Sequence, residues 1–174
     1  GLWSEILDLD APTNLIHYGL RMPQYFEFLE FIPREYYFPM STNLAYKKAL
    51  SCAMYFPPMG AKPDGKAWGV DRYDDIWAGL FVKKIIDHLG FAVANGSPFV
   101  RHTHASEVFK NIEKESVGLR LNEDMYQRVR RVRLMSKNVV DCYSELATKI
   151  DFPPGSYFRD LRRAMITWTK YFSK

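Results

Sequence analysis

Apolar positions recur at helical spacing most clearly between residues 74 and 89, where Ile76, Leu80, Phe81, Ile85 and Leu89 share one face. Asp74 and Asp75 stand in the first turn, where carboxylates suit the positive end of the helix dipole, and Gly90 follows as a stop. A second stripe, Met125, Val129 and Val132, predicts a helix capped by Asn122 with Glu123 and Asp124 in its first turn. A break near 136–138 separates it from a helix over 139–150. Pro153-Pro154-Gly155 stops that one, and a terminal helix is predicted over about 156–171.

Before residue 74 the pattern is less regular. Pro12, Pro23, Pro33 and Pro39 interrupt any long helix, so residues 1–44 read as irregular or strand-like. Tyr36, Tyr37 and Phe38 favour a short strand, and residues 43–55 a short helix. Pro57-Pro58-Met59-Gly60 and Lys62-Pro63-Asp64-Gly65 carry turn signals. Residues 91–94 and 99–102 read as two strands around the turn pair Asn95-Gly96. There is no internal repeat and no linker. The pattern therefore predicts one α/β unit over 1–174, with short mixed strands followed by a helical tail from about residue 120.

Composition narrows the class. In 174 residues, 47% hydrophobic and 25% charged positions describe an ordinary globular chain and exclude disorder and low complexity. The aromatic share of 16% is high, and suits a thick core, a stacking surface or a large interface. The net charge of +4 demands no nucleic-acid partner. No apolar run approaches the roughly 20 residues of a membrane span. Two cysteines, Cys52 and Cys142, are too few for a disulfide framework; buried free thiols in a reducing compartment are the expectation. The chain opens on Gly1 without a leader or an initiator methionine, as a processed product or a piece of something longer would.

Several constellations could carry chemistry. Asp71-Arg72-Tyr73-Asp74-Asp75 gathers three carboxylates and a guanidinium at a loop-to-helix junction. It could hold a metal, bind sugar hydroxyls or supply a base, or it could simply cap the helix. Trp77, one turn in, offers either a stacking face for a sugar or a core side chain. His102 and His104, two apart on a strand, point to one face and could converge on a metal, yet remain two ligands short of a closed zinc site. Asp8-Leu9-Asp10 matches a three-residue cation-gripping pattern, but Asp10 before Ala11-Pro12 is as readily a turn residue. Arg128, Arg130, Arg131, Arg133 and Lys137 could meet phosphates; a solvated helix face is the plainer reading.

Taken together, several stretches resemble the plant-type reversibly glycosylated polypeptides, the UDP-arabinopyranose mutase family. They are Gly1-Leu2-Trp3 with Asp8-Leu9-Asp10-Ala11-Pro12-Thr13, Phe38-Pro39-Met40 with Asn43-Leu44-Ala45, and Tyr55-Phe56 with Met59-Gly60. The most specific is Arg72-Tyr73-Asp74-Asp75-Ile76-Trp77-Ala78-Gly79 running on to Asp87-His88-Leu89-Gly90. His102, Ala105-Ser106, Cys142-Tyr143, Glu145-Leu146, Ala164-Met165 and Thr167-Trp168 continue it in order.

The likeness covers nearly the whole chain but only the C-terminal half of the family. It implies the C-terminal portion of a glycosyltransferase-A-like fold, the acceptor-side half of an enzyme that interconverts pyranose and furanose forms of UDP-L-arabinose with a divalent cation, usually manganese. It puts Asp74 and Asp75 in the catalytic role, and Arg72, Trp77, Asp10 and Asn43 on the substrate side. His102 becomes the late metal ligand. It also implies a cytoplasmic protein, or one peripheral to membranes, in a homo- or hetero-oligomer that includes the nucleotide-binding half. A scaffold subunit without catalysis is the alternative, motivated by that missing half and the aromatic load.

Overall fold

The computed structural model describes residues 2–22, 29–40, 43–60, 68, 70–96, 99–103 and 107–172. Strands β1 (Leu2–Ile6), β2 (Arg21–Met22), β3 (Leu29–Phe31), β4 (Ala94–Gly96) and β5 (Phe99–His102) are short. Helices α1 (Ala11–Ile16), α2 (Asp74–His88), α3 (Val108–Ser116), α4 (Leu119–Arg131), α5 (Val139–Lys149) and α6 (Ser156–Thr169) dominate the second half. Two 3-10 segments, Lys48–Ala53 and Asp71–Tyr73, complete the set. The architecture is mixed α/β with a helical C-terminal half, as the pattern predicted.

The larger sheet runs β2-β1-β5, with β1 antiparallel to β2 and parallel to β5 in the register Leu2↔Phe99 to Glu5↔His102. A separate ribbon pairs β3 with β4. The two strands expected to form a hairpin around Asn95-Gly96 are therefore not partners. Asn95 and Gly96 lie inside β4, and each strand pairs with one far away in sequence. A local turn signal yields to whichever pairing the tertiary structure supports.

Helix α2 is the axis of the core. Residues Trp77 to Lys83 are buried without interruption, so this helix is enclosed nearly all round rather than along one stripe. Around it pack Met125 and Val129 of α4, Cys142, Tyr143 and Leu146 of α5, and Tyr157, Phe158, Leu161 and Met165 of α6. Leu50, Cys52 and Ala53 close the remaining side from the 3-10 segment, which is all that forms of the helix expected over 43–55. Both cysteines are buried free thiols, and burial pushes each up to about 11.

Four further expectations are corrected. Residues 11–16, expected to be irregular or strand-like, form the short helix α1, with Pro12 in its first turn, where it has no intrahelical partner to lose. Asn122 is not a cap, because α4 begins three residues earlier behind Gly118. Tyr36, Tyr37 and Phe38 form no strand. Residues 34–40 instead run as a strap along α2, held by Glu35 N–H to Asp87 Oδ2 (3.2 Å) and Met40 N–H to the Asp75 carbonyl (3.0 Å). Of the basic run, only Arg128, Arg130 and Arg131 belong to α4, while Arg133 and Lys137 lie on the non-helical segment beyond it. The turn expected at 62–65 lies outside the described residues.

Candidate functional site

Parallel strands β1 and β5 end side by side, at Ile6 and His102. In parallel sheets the carboxyl ends of strands are where ligands are received. Both imidazole and sheet are fixed there: His102 Nδ1 lies 3.1 Å from the Ile6 carbonyl, and its ring lies 5.1 Å from that of Trp3. A carbonyl only accepts, so Nδ1 carries the proton and Nε2 keeps its lone pair for a ligand.

Beyond Ile6 the chain passes Asp8 and enters α1. Asp10 caps that helix, taking Thr13 N–H at 3.0 Å on Oδ1 and the Thr13 hydroxyl at 2.7 Å on Oδ2. Ala11 N–H is donated to Oε2 of Glu115 at 2.9 Å, a buried carboxylate on α3. The Tyr73 hydroxyl donates to the Glu115 carbonyl at 2.7 Å. Burial, Glu115 and Asp10 push that phenol up to about 12, so it stays a donor. Tyr73 and Glu115 thereby dock the β1–α1 connection against the start of α2.

Asp74 and Asp75 open α2, both half-buried. Asp75 Oδ1 accepts Ile76 N–H at 2.8 Å. Burial, then the neighbouring Asp74 carboxylate and more weakly Asp8, push Asp75 up to about 6, against the opposing backbone hydrogen bonds. Asp74, and more weakly Asp8, thus lie close enough to Asp75 to oppose its ionisation. Such a group favours whatever brings positive charge beside it, whether a cation, a proton or a substrate on which charge develops.

The predicted site residues divide accordingly. Asp10, Asp74 and Asp75 fall in one region, and His102 is tied to the same end of β1 through Ile6. Arg72 is exposed on the 3-10 turn that leads into α2. Asn43 is half-buried, three residues beyond the Met40 amide that bonds Asp75. Trp77 is corrected: it is 0% exposed. Its ring is stacked on Tyr73 and packed against Tyr157 and Phe158. Its Nε1–H donates to Asn122 Oδ1 at 3.0 Å, so it is a core residue with no face to offer a sugar. His104 lies outside the described residues.

Sequence reasoning passed over Glu115. Its signal was present: with Val108 it falls on the inward stripe of α3, seven residues on, and a carboxylate on such a stripe needs a partner.

Among the described residues no three His, Cys, Asp or Glu side chains are arranged to hold a metal ion. His102 can supply one ligand, but a closed metal site does not fit within these residues alone.

A family profile described as reversibly glycosylated polypeptide matches residues 1–174. UDP-arabinopyranose mutase 1 of Arabidopsis thaliana is 40% identical over 97% of this chain and 48% of its own length. Probable UDP-arabinopyranose mutase 4 of the same plant is 39% identical over 97% of this chain and 47% of its own length. Probable UDP-arabinopyranose mutase 1 of Pisum sativum is 38% identical over 98% of this chain and 47% of its own length. The chain thus spans about half the length of the curated relatives it matches. On the strength of a match that runs from its first residue to its last, the chain belongs to the reversibly glycosylated polypeptide family.

Proposed function

We propose that this chain is the acceptor-side half of a UDP-arabinopyranose mutase, with Asp74 and Asp75 facing the sugar of UDP-L-arabinose. The observation that carries the proposal is the half-buried Asp74–Asp75 pair at the head of α2, which Tyr73 and Glu115 join to the segment that leaves β1. In the reaction the anomeric C–O bond to UDP breaks, its electron pair leaves with the diphosphate, and positive charge develops on C1 and the ring oxygen. The ring then exchanges its C1–O5 bond for a C1–O4 bond, the proton of O4 passing to O5, and the bond to the diphosphate is remade at C1. Half-buried carboxylates held beside C1 lower the cost of that charge, and they do so most strongly where water is thin. Arg72 is the group on this chain suited to the departing diphosphate. Asp10 and Asn43 serve by holding the two segments that border the sugar.

The nucleotide is bound by the other half of the enzyme, whether it is joined to this chain or assembled with it as a homo- or hetero-oligomer. The two halves together would make the glycosyltransferase-A-like fold. The cation proposed for the reaction is manganese, which would neutralise the diphosphate. It would take His102 Nε2 from this chain and its remaining ligands from elsewhere. A cytoplasmic location is proposed with it; among the described residues no helix is long and apolar enough to cross a membrane.

The test uses the complete enzyme. Asp74→Asn and Asp75→Asn should each lower mutase turnover by about 100-fold or more, the scale seen when charge stabilisation is removed from a transition state. Full turnover in both variants would refute the assignment.

A further inference from the structure

A concave site lies toward the C-terminal end of α2, about ten residues and so roughly 15 Å along the helix from Asp75. It is a cavity of about 450 Å³ between the strap at 34–37, the C-terminal half of α2 and the segment that leaves α4. That volume is in the range of small-molecule sites, roughly 300–1,000 Å³. Leu80, Val129, Val132 and Leu134 give it an apolar floor, and Tyr36, Tyr37 and Tyr126 form an aromatic wall. The Tyr37 and Tyr126 rings lie 5.9 Å apart.

Its charges are unbalanced. Arg34, Lys83, Lys84, Arg130 and Arg133 line it against only Glu35 and Asp87. Both carboxylates are already engaged. Asp87 holds Lys83 at 2.7 Å, a pair completed by the Pro33 carbonyl at 2.9 Å, and Glu35 holds Arg130 at 3.3 Å. Lys84 donates to the Arg130 carbonyl at 2.9 Å, and among the described residues the only carboxylates that act on its charge are the same Glu35 and Asp87 already paired with Arg130 and Lys83. Arg34 and Arg133 have no ion-pair partner among the described residues. An apolar floor and aromatic wall under surplus guanidinium groups match one kind of ligand.

We propose that this cavity binds a small aromatic anion. A flat ring would lie on Leu80, Val129 and Leu134 beside Tyr37, and a phosphate, sulfonate or carboxylate would be held by Arg133 and Arg34. Guanidinium groups suit such anions because their planar forks can donate two hydrogen bonds at once. The site is independent of the sugar site and does not depend on the reading given to Asp74 and Asp75.

The test is a fluorescence titration of the purified native protein with 1-anilinonaphthalene-8-sulfonate, an aryl sulfonate. Uncharged N-phenyl-1-naphthylamine serves as the control of the same shape. The sulfonate should bind saturably at one site per chain, and at least tenfold more tightly than the neutral probe. The double variant Arg34→Gln, Arg133→Gln should lose that tenfold preference while its far-ultraviolet spectrum and melting temperature stay those of the parent. Arg72→Gln, at the other end of α2, should leave binding unchanged. Equal affinity for the two probes, no saturable site, or a sulfonate preference that survives in the double variant would each overturn the proposal. Should the double variant fail to fold, the single variants Arg34→Lys and Arg133→Lys decide: each keeps the charge, removes the fork and should weaken the sulfonate alone. Unchanged sulfonate affinity in both would likewise overturn it.

Discussion

The backbone carbonyl of Phe38 lies against Gly79 so closely that a Cβ at Gly79 would stand 1.6 Å from that oxygen and 2.8 Å from its carbon. Gly79 is buried in the middle of α2, a place where glycine weakens a helix by about 1 kcal/mol relative to alanine. The close approach explains why glycine is needed there. It seats the strap at 34–40 on α2 and brings the Met40 amide to the Asp75 carbonyl. Gly79→Ala must displace main chain, and should destabilise the protein by about 3 kcal/mol despite the gain in helix propensity. Urea melts check this; stability within about 0.5 kcal/mol of the parent would show that the strap does not sit where it is described.

How much could be seen beforehand follows from which forces act locally. Helix α2, α5, α6 and a break before α5 were legible because stripe, cap and stop agree over many residues, although α4 ends at Arg131 and the break opens at Val132 rather than near 136. The Gly90 stop has the positive φ of 75° that its residue type suggests. Strand pairing was not legible, since β1 meets β5 across more than ninety residues and no local signal encodes that choice. The same holds for the site. Asp74 and Asp75 stood out as adjacent carboxylates, but their closeness to Asp8 depends on how Tyr73 and Glu115 dock α1. Trp77 misled because an aromatic ring at a helix start looks alike from sequence whether it faces a ligand or the core.

Tyr143 is 0% exposed and its hydroxyl has no hydrogen-bond partner among the described residues. Burial holds the phenol well above its ordinary range, so it remains neutral. An unpaired buried hydroxyl costs about 1–3 kcal/mol of desolvation. Tyr143→Phe keeps the ring, its packing near Tyr55 and the core volume, and should raise stability by about 1 kcal/mol. A loss of that size in thermal or urea melts would mean the hydroxyl has a partner after all.

Glu145 fastens the segment after α4 to α5. Its carboxylate accepts Met135 N–H at 3.0 Å, Ser136 N–H at 2.9 Å and the Lys149 ammonium at 2.5 Å. The Lys149 bond above all, joined by the two amides, holds it down to about 2, from an ordinary value of 4.5. A lowered folded-state value stabilises the protein fully above the ordinary value, and that contribution is lost as pH falls from 4.5 toward 2. Glu145→Gln should be less stable than the parent at neutral pH, with a shallower loss across that window. Parallel stability–pH curves for the two proteins would contradict this role.

Asp75 has the opposite sign. Its folded-state value of about 6 lies above the ordinary 3.8, so the fold favours the protonated acid. Stability attached to this group is complete below 3.8 and is lost as pH rises through 6, leaving the carboxylate strained at neutral pH. One pKa unit corresponds to about 1.4 kcal/mol, so the burden at pH 7 is up to about 3 kcal/mol. Asp75→Asn removes the charge while its amide oxygen can still accept Ile76 N–H, and should stabilise the protein at pH 7 by about 1–3 kcal/mol. In the complete enzyme the same change should lower turnover by about 100-fold or more. The two measurements separate a functional carboxylate from a structural one: a group that held the fold together would weaken it when replaced. A fold that becomes stronger as activity falls identifies a charge kept for the reaction, and a variant that loses stability at pH 7 would count against that role.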